Sequence, residues 1–122
     1  MAAPVSSVHC HCDNCRKASG AAMLTWLTVD EADFEWQGDE PQRYRYDSEH
    51  YPAPVERLFC GACGSQLGWR CLDDGTVDLT AGSLDQPDLI EPQRHVFLRG
   101  KVRWLHTDDD LPGFETTPSN EA

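Results

Sequence analysis

The sequence lacks a long hydrophobic segment, and this absence excludes several classes of protein. No apolar run approaches the ~20 residues that a membrane-spanning helix requires, and the mean hydropathy is −0.56. The first residues, MAAPVS, lack the basic segment and the apolar region of a secretory signal. These features favour a cytoplasmic protein that does not associate with a membrane.

Basic residues are also scarce. Ten lysines and arginines stand against 21 aspartates and glutamates, and the net charge is −11. The phosphates of a nucleic acid would be repelled by such a chain, so we expect no nucleic-acid partner.

The chain has 122 residues, the length of one domain. We assign residues 1–114 to this domain and residues 115–122 to a flexible C-terminal tail. A domain this small buries a modest core, so a bound metal or homo-oligomerisation would add stability.

Short β-prone segments are separated by glycine, proline and aspartate about every eight to twelve residues, which predicts a mainly β fold, a sandwich or a barrel. The predicted strands cover residues 5–11, 23–29, 43–46, 55–59, 67–72, 76–84 and 95–98. We expect Asp30 to cap a single helical turn that ends at Phe34. The four tryptophans are predicted to lie in the core: Trp26, Trp36, Trp69 and Trp104.

Five of the six cysteines fall in two clusters, which indicates metal binding. A reducing compartment disfavours disulfides, and thiolate is a preferred ligand of tetrahedral zinc. The first cluster contains Cys10, Cys12 and Cys15, and the second contains Cys60 and Cys63. Cys71 stands alone and is interpreted as a buried apolar residue.

The spacing leaves two arrangements open. Cys12, Cys15, Cys60 and Cys63 could form one closed four-cysteine site of structural type. Alternatively, Cys10, Cys12 and Cys15 hold one ion by themselves and leave the fourth position open, as in catalytic zinc sites.

Residues 10–21, CHCDNCRKASGA, closely resemble a motif of the glutathione-dependent formaldehyde-activating enzyme family, which includes centromere protein V. The resemblance continues in residues 59–67 and 82–87, and in Pro92, His95 and Trp104. It therefore extends over most of the chain, from residue 8 to residue 114.

The resemblance implies a small zinc-binding β-sandwich of the type shared with methionine sulfoxide reductase B and the Rab accessory factor. It also implies a catalytic zinc on Cys10, Cys12 and Cys15. A second, structural zinc would use Cys60 and Cys63 together with a C-x-C pair from an earlier strand.

That C-x-C pair does not precede Cys10 in this sequence. We expect one of four outcomes. The true start lies upstream, the second site is lost, Cys71 or a histidine completes it, or Cys60 and Cys63 join the first cluster.

The implied reaction joins glutathione, or a similar thiol, to formaldehyde or another small aldehyde, and the enzyme would be a carbon–sulfur lyase. Arg16 and Lys17 directly follow the last ligand and are predicted, with His95, to bind the substrate. His11 lies between two ligands and is expected to pack behind them.

Two other functions compete with this one. In the first, the protein is a non-catalytic zinc module that binds a protein partner through a purely structural metal site. In the second, the cysteines hold a rubredoxin-like iron that transfers electrons.

Overall fold

A computed structural model describes residues 6–49 and 51–117 and has a mainly β architecture. Its strands are β1 (Ser6–Cys10), β2 (Leu24–Asp30), β3 (Gln42–Tyr46), β4 (Val55–Phe59), β5 (Gln66–Cys71), β6 (Thr76–Thr80) and β7 (Arg94–Val96). One α-helix, α1, spans Asp13–Ser19, and four short 3₁₀ turns cover Glu31–Asp33, Ala81–Ser83, Pro87–Leu89 and Leu98–Gly100. The mainly β prediction is confirmed.

All seven strands belong to one sheet, in the order β3-β4-β5-β6-β2-β1-β7. All seven strands are thus connected to one another by hydrogen bonds in one continuous sheet. Neighbouring strands run antiparallel, except that β7 is parallel to β1. This places the first cysteine cluster at one end of β1, beside the short edge strand β7.

The two faces of the sheet have different compositions, because successive side chains of a strand point to opposite sides. One face, which we call the core face, carries a cluster of buried apolar side chains: Leu27, Val29, Leu58, Val77 and Leu79. Phe34, Trp36, Leu84 and Ile90 cover this cluster from the loops. The opposite face, which we call the cysteine face, carries Cys10 packed against Trp26 and Val96.

Two predicted strands end two or more residues earlier in the structure. The strand predicted for residues 76–84 ends at Thr80, because the Ser83 hydroxyl donates a hydrogen bond to the Thr80 carbonyl and closes a 3₁₀ turn. The strand predicted for residues 95–98 ends at Val96, because Phe97 adopts a left-handed conformation with φ of 56°. The start of the first predicted strand, Val5, lies outside the described residues.

The structure also bears on the predictions for the tryptophans, for Cys71 and for the C-terminal tail. Trp26 is buried as predicted, whereas Trp104 is 69% exposed and its core assignment was wrong. Cys71 is buried as predicted. In the predicted tail, the Thr116 carbonyl accepts a hydrogen bond of 2.9 Å from the Phe97 amide. The remainder of that tail, residues 118–122, is outside the described part of the chain.

Within residues 6–49 and 51–117, no helix has both the length and the apolar character needed to cross a membrane.

Candidate metal centre

The three cysteines of the first cluster meet because a strand passes directly into a helix. Cys10 is the last residue of β1, and Cys12 is the N-cap of α1. The Cys12 sulfur accepts a hydrogen bond of 3.3 Å from the Cys15 amide, so the cap itself turns Cys15 towards the strand. Gly20 ends the helix in a left-handed conformation with φ of 73°, which glycine adopts without strain.

The three sulfur atoms form a group that fits a tetrahedral metal. All three lie within 4.8 Å of one another. The Cys10 and Cys15 sulfurs are 3.7 Å apart. Zinc–sulfur bonds of about 2.3 Å place two thiolates of a tetrahedral site about 3.8 Å apart. The donor set and its spacing therefore suit a zinc ion held by three thiolates.

The surroundings of the cluster also stabilise a thiolate. Hydrogen bonds from Cys10 and Cys15 lower the pKa of Cys12 to about 3, with a contribution from the positive charge of Arg57. The same hydrogen bond to Cys12, together with burial, raises the pKa of Cys10. One sulfur thus stays ionised at neutral pH, as metal binding requires.

A cavity of about 650 Å³ opens beside the cluster, on the cysteine face. This volume is within the range of small-molecule sites, roughly 300–1,000 Å³. All three cysteines line it, together with the aromatic rings of Trp26 and Trp69. The thiolates therefore border a space large enough for a small peptide.

One row of residues crosses the sheet along the floor of this cavity. Arg57 of β4 is opposite Trp69 of β5, Trp69 is opposite Asp78 of β6, and Asp78 is opposite Thr28 of β2. All four line the cavity, and so do Arg94 and Arg99 from the β7 side. The cavity thus combines thiolates, three guanidinium groups and one strand carboxylate.

The profile of the family described as glutathione-dependent formaldehyde-activating enzyme matches residues 1–100. The chain belongs to this family. The match confirms the resemblance seen in the cysteine motif, and it includes both cysteine clusters and most of the cavity. A comparison with curated proteins found no match.

The second cysteine cluster of this family member is separate from the first. Cys60 and Cys63 lie in the turn between β4 and β5, closed by a hydrogen bond of 2.8 Å from the Gly64 amide to the Cys60 carbonyl. Among the described residues, no histidine, cysteine or carboxylate completes a three-ligand group with them. Cys71 is opposite Val55 at the far end of the same hairpin. Neither the closed four-cysteine site nor a site completed by Cys71 is formed.

The three side chains predicted to bind substrate do not line the cavity. Arg16 and Lys17 lie in the last turn of α1, and Lys17 is exposed. His95 is opposite His9 in the β1–β7 pairing, whereas Cys10 is opposite Val96. His95 is therefore on the core face, behind the cysteines. A substrate-binding role for these three residues stays a prediction.

His95 belongs instead to a hydrogen-bonded network. Its Nε2 is 2.8 Å from an Asp109 carboxylate oxygen, and its Nδ1 is 2.8 Å from Nε2 of His11. An ionised Asp109 only accepts, so His95 donates a hydrogen bond to it through Nε2. Burial lowers the pKa of His11 to about 4, and its ring is neutral. As expected, His11 packs behind its neighbouring cysteines.

We expect His95→Ala to lower the free energy of unfolding by about 2–3 kcal/mol while the zinc content stays unchanged. The substitution leaves the fully buried His11 ring without its partner, and an unpaired buried polar group costs about 1–3 kcal/mol before the lost packing is added. Urea denaturation and metal analysis measure the two quantities. An unchanged stability with weaker substrate binding would place His95 in the binding site instead.

The sequence reasoning missed Arg57, Asp78, Arg94 and Arg99 as cavity residues. The sequence pattern of one strand could have identified Asp78. In Thr76–Thr80, polar residues alternate with the buried Val77 and Leu79. Such alternation places the aspartate on the face opposite the apolar core. No signal along the chain shows that this face borders the cysteines, since β6 lies two strands from β1 only in the folded sheet.

Proposed function

We propose that this protein is a zinc-dependent carbon–sulfur lyase that reversibly joins a glutathione-like thiol to formaldehyde or another small aldehyde. The observation that carries the proposal is the cluster of three cysteine sulfurs on the wall of a cavity that also contains three arginines. Membership of the glutathione-dependent formaldehyde-activating enzyme family supports the choice of substrates.

The metal would be held by Cys10, Cys12 and Cys15. A bound zinc would supply the charge that keeps a substrate thiol ionised at neutral pH. No fourth histidine, cysteine or carboxylate joins this group within the described residues, so a substrate sulfur can complete it. The sequence offers a second, structural zinc at Cys60 and Cys63, and this site stays a prediction.

The arginines would bind the carboxylates of the thiol substrate. Glutathione carries two carboxylates, and guanidinium groups bind carboxylates through paired, charge-assisted hydrogen bonds. Arg94 is opposite Val8, which precedes Cys10 by two residues on the same face of the sheet. Arg57 is close enough to the cluster to lower the pKa of Cys12. A carboxylate-bearing thiol would therefore be oriented with its sulfur towards the cysteines.

The activity is tested by NMR exchange spectroscopy on mixtures of glutathione and formaldehyde. We expect the zinc-loaded protein to accelerate exchange between formaldehyde and its glutathione adduct at least tenfold over the uncatalysed rate. General acid–base assistance alone typically contributes a factor of about 10²–10⁴, so an acceleration of less than about tenfold would contradict the proposal. A protein that binds zinc and a thiol without accelerating exchange would instead be the non-catalytic module.

We expect Arg94→Gln to raise KM for glutathione by about tenfold, because one charge-assisted hydrogen bond contributes about 1.5–3 kcal/mol. The same variant should leave KM unchanged for 2-mercaptoethanol, which has no carboxylate. Arg103→Gln is the matched control, since Arg103 is exposed and does not line the cavity. Equal changes for the two thiols would show that Arg94 has no role in recognising carboxylates.

A further inference from the structure

We propose that His9, His95 and Asp109 form a second metal site, for a divalent first-row transition-metal ion such as Fe²⁺, Co²⁺ or Zn²⁺. The site lies on the core face of the sheet, behind the cysteines, and takes no part in the proposed reaction. Two imidazoles and one carboxylate are a donor set that proteins use for such ions, with further coordination positions left open.

The three side chains come together from distant parts of the chain. His9 of β1 is opposite His95 of β7, and the centroids of their rings are 4.8 Å apart. The His95 Nε2 is 2.8 Å from an Asp109 carboxylate oxygen. One ligand atom from each of the three residues lies within 4.8 Å of the other two. Ligands bound at about 2.0–2.2 Å to one ion lie roughly 3–3.5 Å apart, so small side-chain rotations bring the three donors onto a common ion.

Hydrogen bonds on the far side of each imidazole ring orient the two histidines. The His9 Nδ1 is 2.8 Å from the Thr25 hydroxyl oxygen, and the His95 Nδ1 is 2.8 Å from Nε2 of His11. Metal-binding histidines commonly engage their second ring nitrogen in this way, which fixes the tautomer and the orientation of the ring. Nε2 of each ring is therefore the nitrogen for the metal. On His95, the ion takes the place of the hydrogen shared with Asp109, and the ring hydrogen moves to Nδ1, which donates to His11.

The Asp109 carboxylate is held in place by its own segment of the chain. Its other oxygen accepts a hydrogen bond of 3.2 Å from the Leu111 amide. The His95 amide donates to the Pro112 carbonyl, and the Phe114 amide donates to the His95 carbonyl, both at 2.9 Å. These bonds fix the C-terminal segment beside β7. A bound ion would tie this segment to β7 and to β1 at once.

The site is open to solvent on the side of the carboxylate. The Asp109 side chain is 40% exposed, whereas that of His95 is 4% exposed. Residues 108–110 are three consecutive aspartates, and their charge favours the approach of a cation. Two neutral imidazoles and one carboxylate carry less negative charge than three thiolates. We therefore expect dialysed protein to keep the zinc of the first cluster and to lose this second ion.

The test is a titration of dialysed, zinc-loaded protein without a histidine tag with Co²⁺, followed by calorimetry and visible absorption. We expect one Co²⁺ per chain, with the weak d–d bands typical of nitrogen and oxygen ligands and with an unchanged zinc content. Absorption from sulfur-bound cobalt alone would place the ion at cysteines and overturn the assignment.

Variants of the proposed ligands identify the site. Asp109→Asn and His9→Ala should each weaken Co²⁺ binding by more than about 100-fold, since loss of a residue that merely supports a ligand costs 10- to 100-fold. Asp110→Asn and His106→Ala are the matched controls, because both residues are exposed and lie outside the three-ligand group. Both controls should bind Co²⁺ as the wild type does. Asp109 is exposed and asparagine has the same size, so Asp109→Asn decides if His9→Ala fails to fold.

The ion should also stabilise the fold, because it joins three segments of the chain. At a Co²⁺ concentration 100 times the dissociation constant, Tm of the wild type should rise by roughly 10 °C. The same addition should leave Tm of Asp109→Asn unchanged.

The outcomes separate the two proposals. Equal Co²⁺ affinities of Asp109→Asn and the wild type, or no Co²⁺ binding by the folded wild type, would overturn the second metal site. The three residues would then form a hydrogen-bonded network only. A wild type that binds Co²⁺ as expected but does not accelerate adduct exchange would overturn the proposed function alone.

Discussion

Replacement of Cys12 by serine is expected to remove the zinc of the first cluster and to reduce adduct exchange by more than about 100-fold. Loss of a residue that merely supports a metal ligand typically costs 10- to 100-fold, and loss of a ligand costs more. Cys12 has the lowered pKa of the three cysteines, and it also caps α1 through its hydrogen bond with the Cys15 amide. Serine is itself a favoured N-cap residue, so the substitution keeps the turn that presents Cys15 and removes only the thiolate donor.

Metal analysis after dialysis and the NMR exchange rate measure these two effects. Cys71→Ala is the control, because Cys71 is buried and lies outside both cysteine clusters. It should lower stability by about 1 kcal/mol and leave zinc and activity unchanged. A Cys12→Ser protein that keeps its zinc and its activity would show that the catalytic metal is held elsewhere.

Replacement of Glu56 by glutamine is expected to lower the free energy of unfolding at pH 7 by about 3 kcal/mol. The Glu56 side chain is 2% exposed, and its carboxylate is 2.8 Å from Arg45, 3.2 Å from Arg43 and 3.8 Å from Arg70. Breaking a buried ion pair costs about 3–5 kcal/mol. The lower end applies here because the Arg45 side chain is 61% exposed and can turn to water.

The ionisation of Glu56 also predicts how the stability difference between wild type and variant changes with pH. Burial alone raises the pKa of Glu56, but the hydrogen bond from Arg45 and the charges of Arg43 and Arg45 outweigh it and hold the pKa below 4.5. A carboxyl with a depressed pKa stabilises the fold above its unfolded value and loses that contribution as the pH falls. Urea denaturation at pH 7 and pH 4 should therefore show a smaller difference between wild type and variant at pH 4.

Glu91→Gln, at an exposed position, should change stability by less than about 0.5 kcal/mol at both pH values. A difference between wild type and Glu56→Gln that is equal at pH 7 and pH 4 would contradict the charge-based explanation. The cluster around Glu56 also joins β3, β4 and β5, so its loss should loosen the strands that carry Arg57 and Trp69.

The sequence by itself determined the candidate metal centre of this protein. Cys10, Cys12 and Cys15 are so close along the chain that a strand end and one helical turn suffice to bring their sulfurs together. It also determined most strands, because the alternation of apolar and polar residues is typical of a strand whose two faces meet different environments. The strand predicted for residues 55–59 has the same bounds in the structure.

Only the tertiary structure decided which residues surround that metal centre. The choice between Arg94 and His95 depends on the register of β7 against β1, and a shift of one residue would exchange their faces. The row from Arg57 to Thr28 spans three strands that are consecutive in the sequence, β4, β5 and β6, and then β2, which lies far from them along the chain. The candidate ligands are therefore close together in the sequence and can be identified from it, whereas the cavity is assembled by strand order and register, which no short motif encodes.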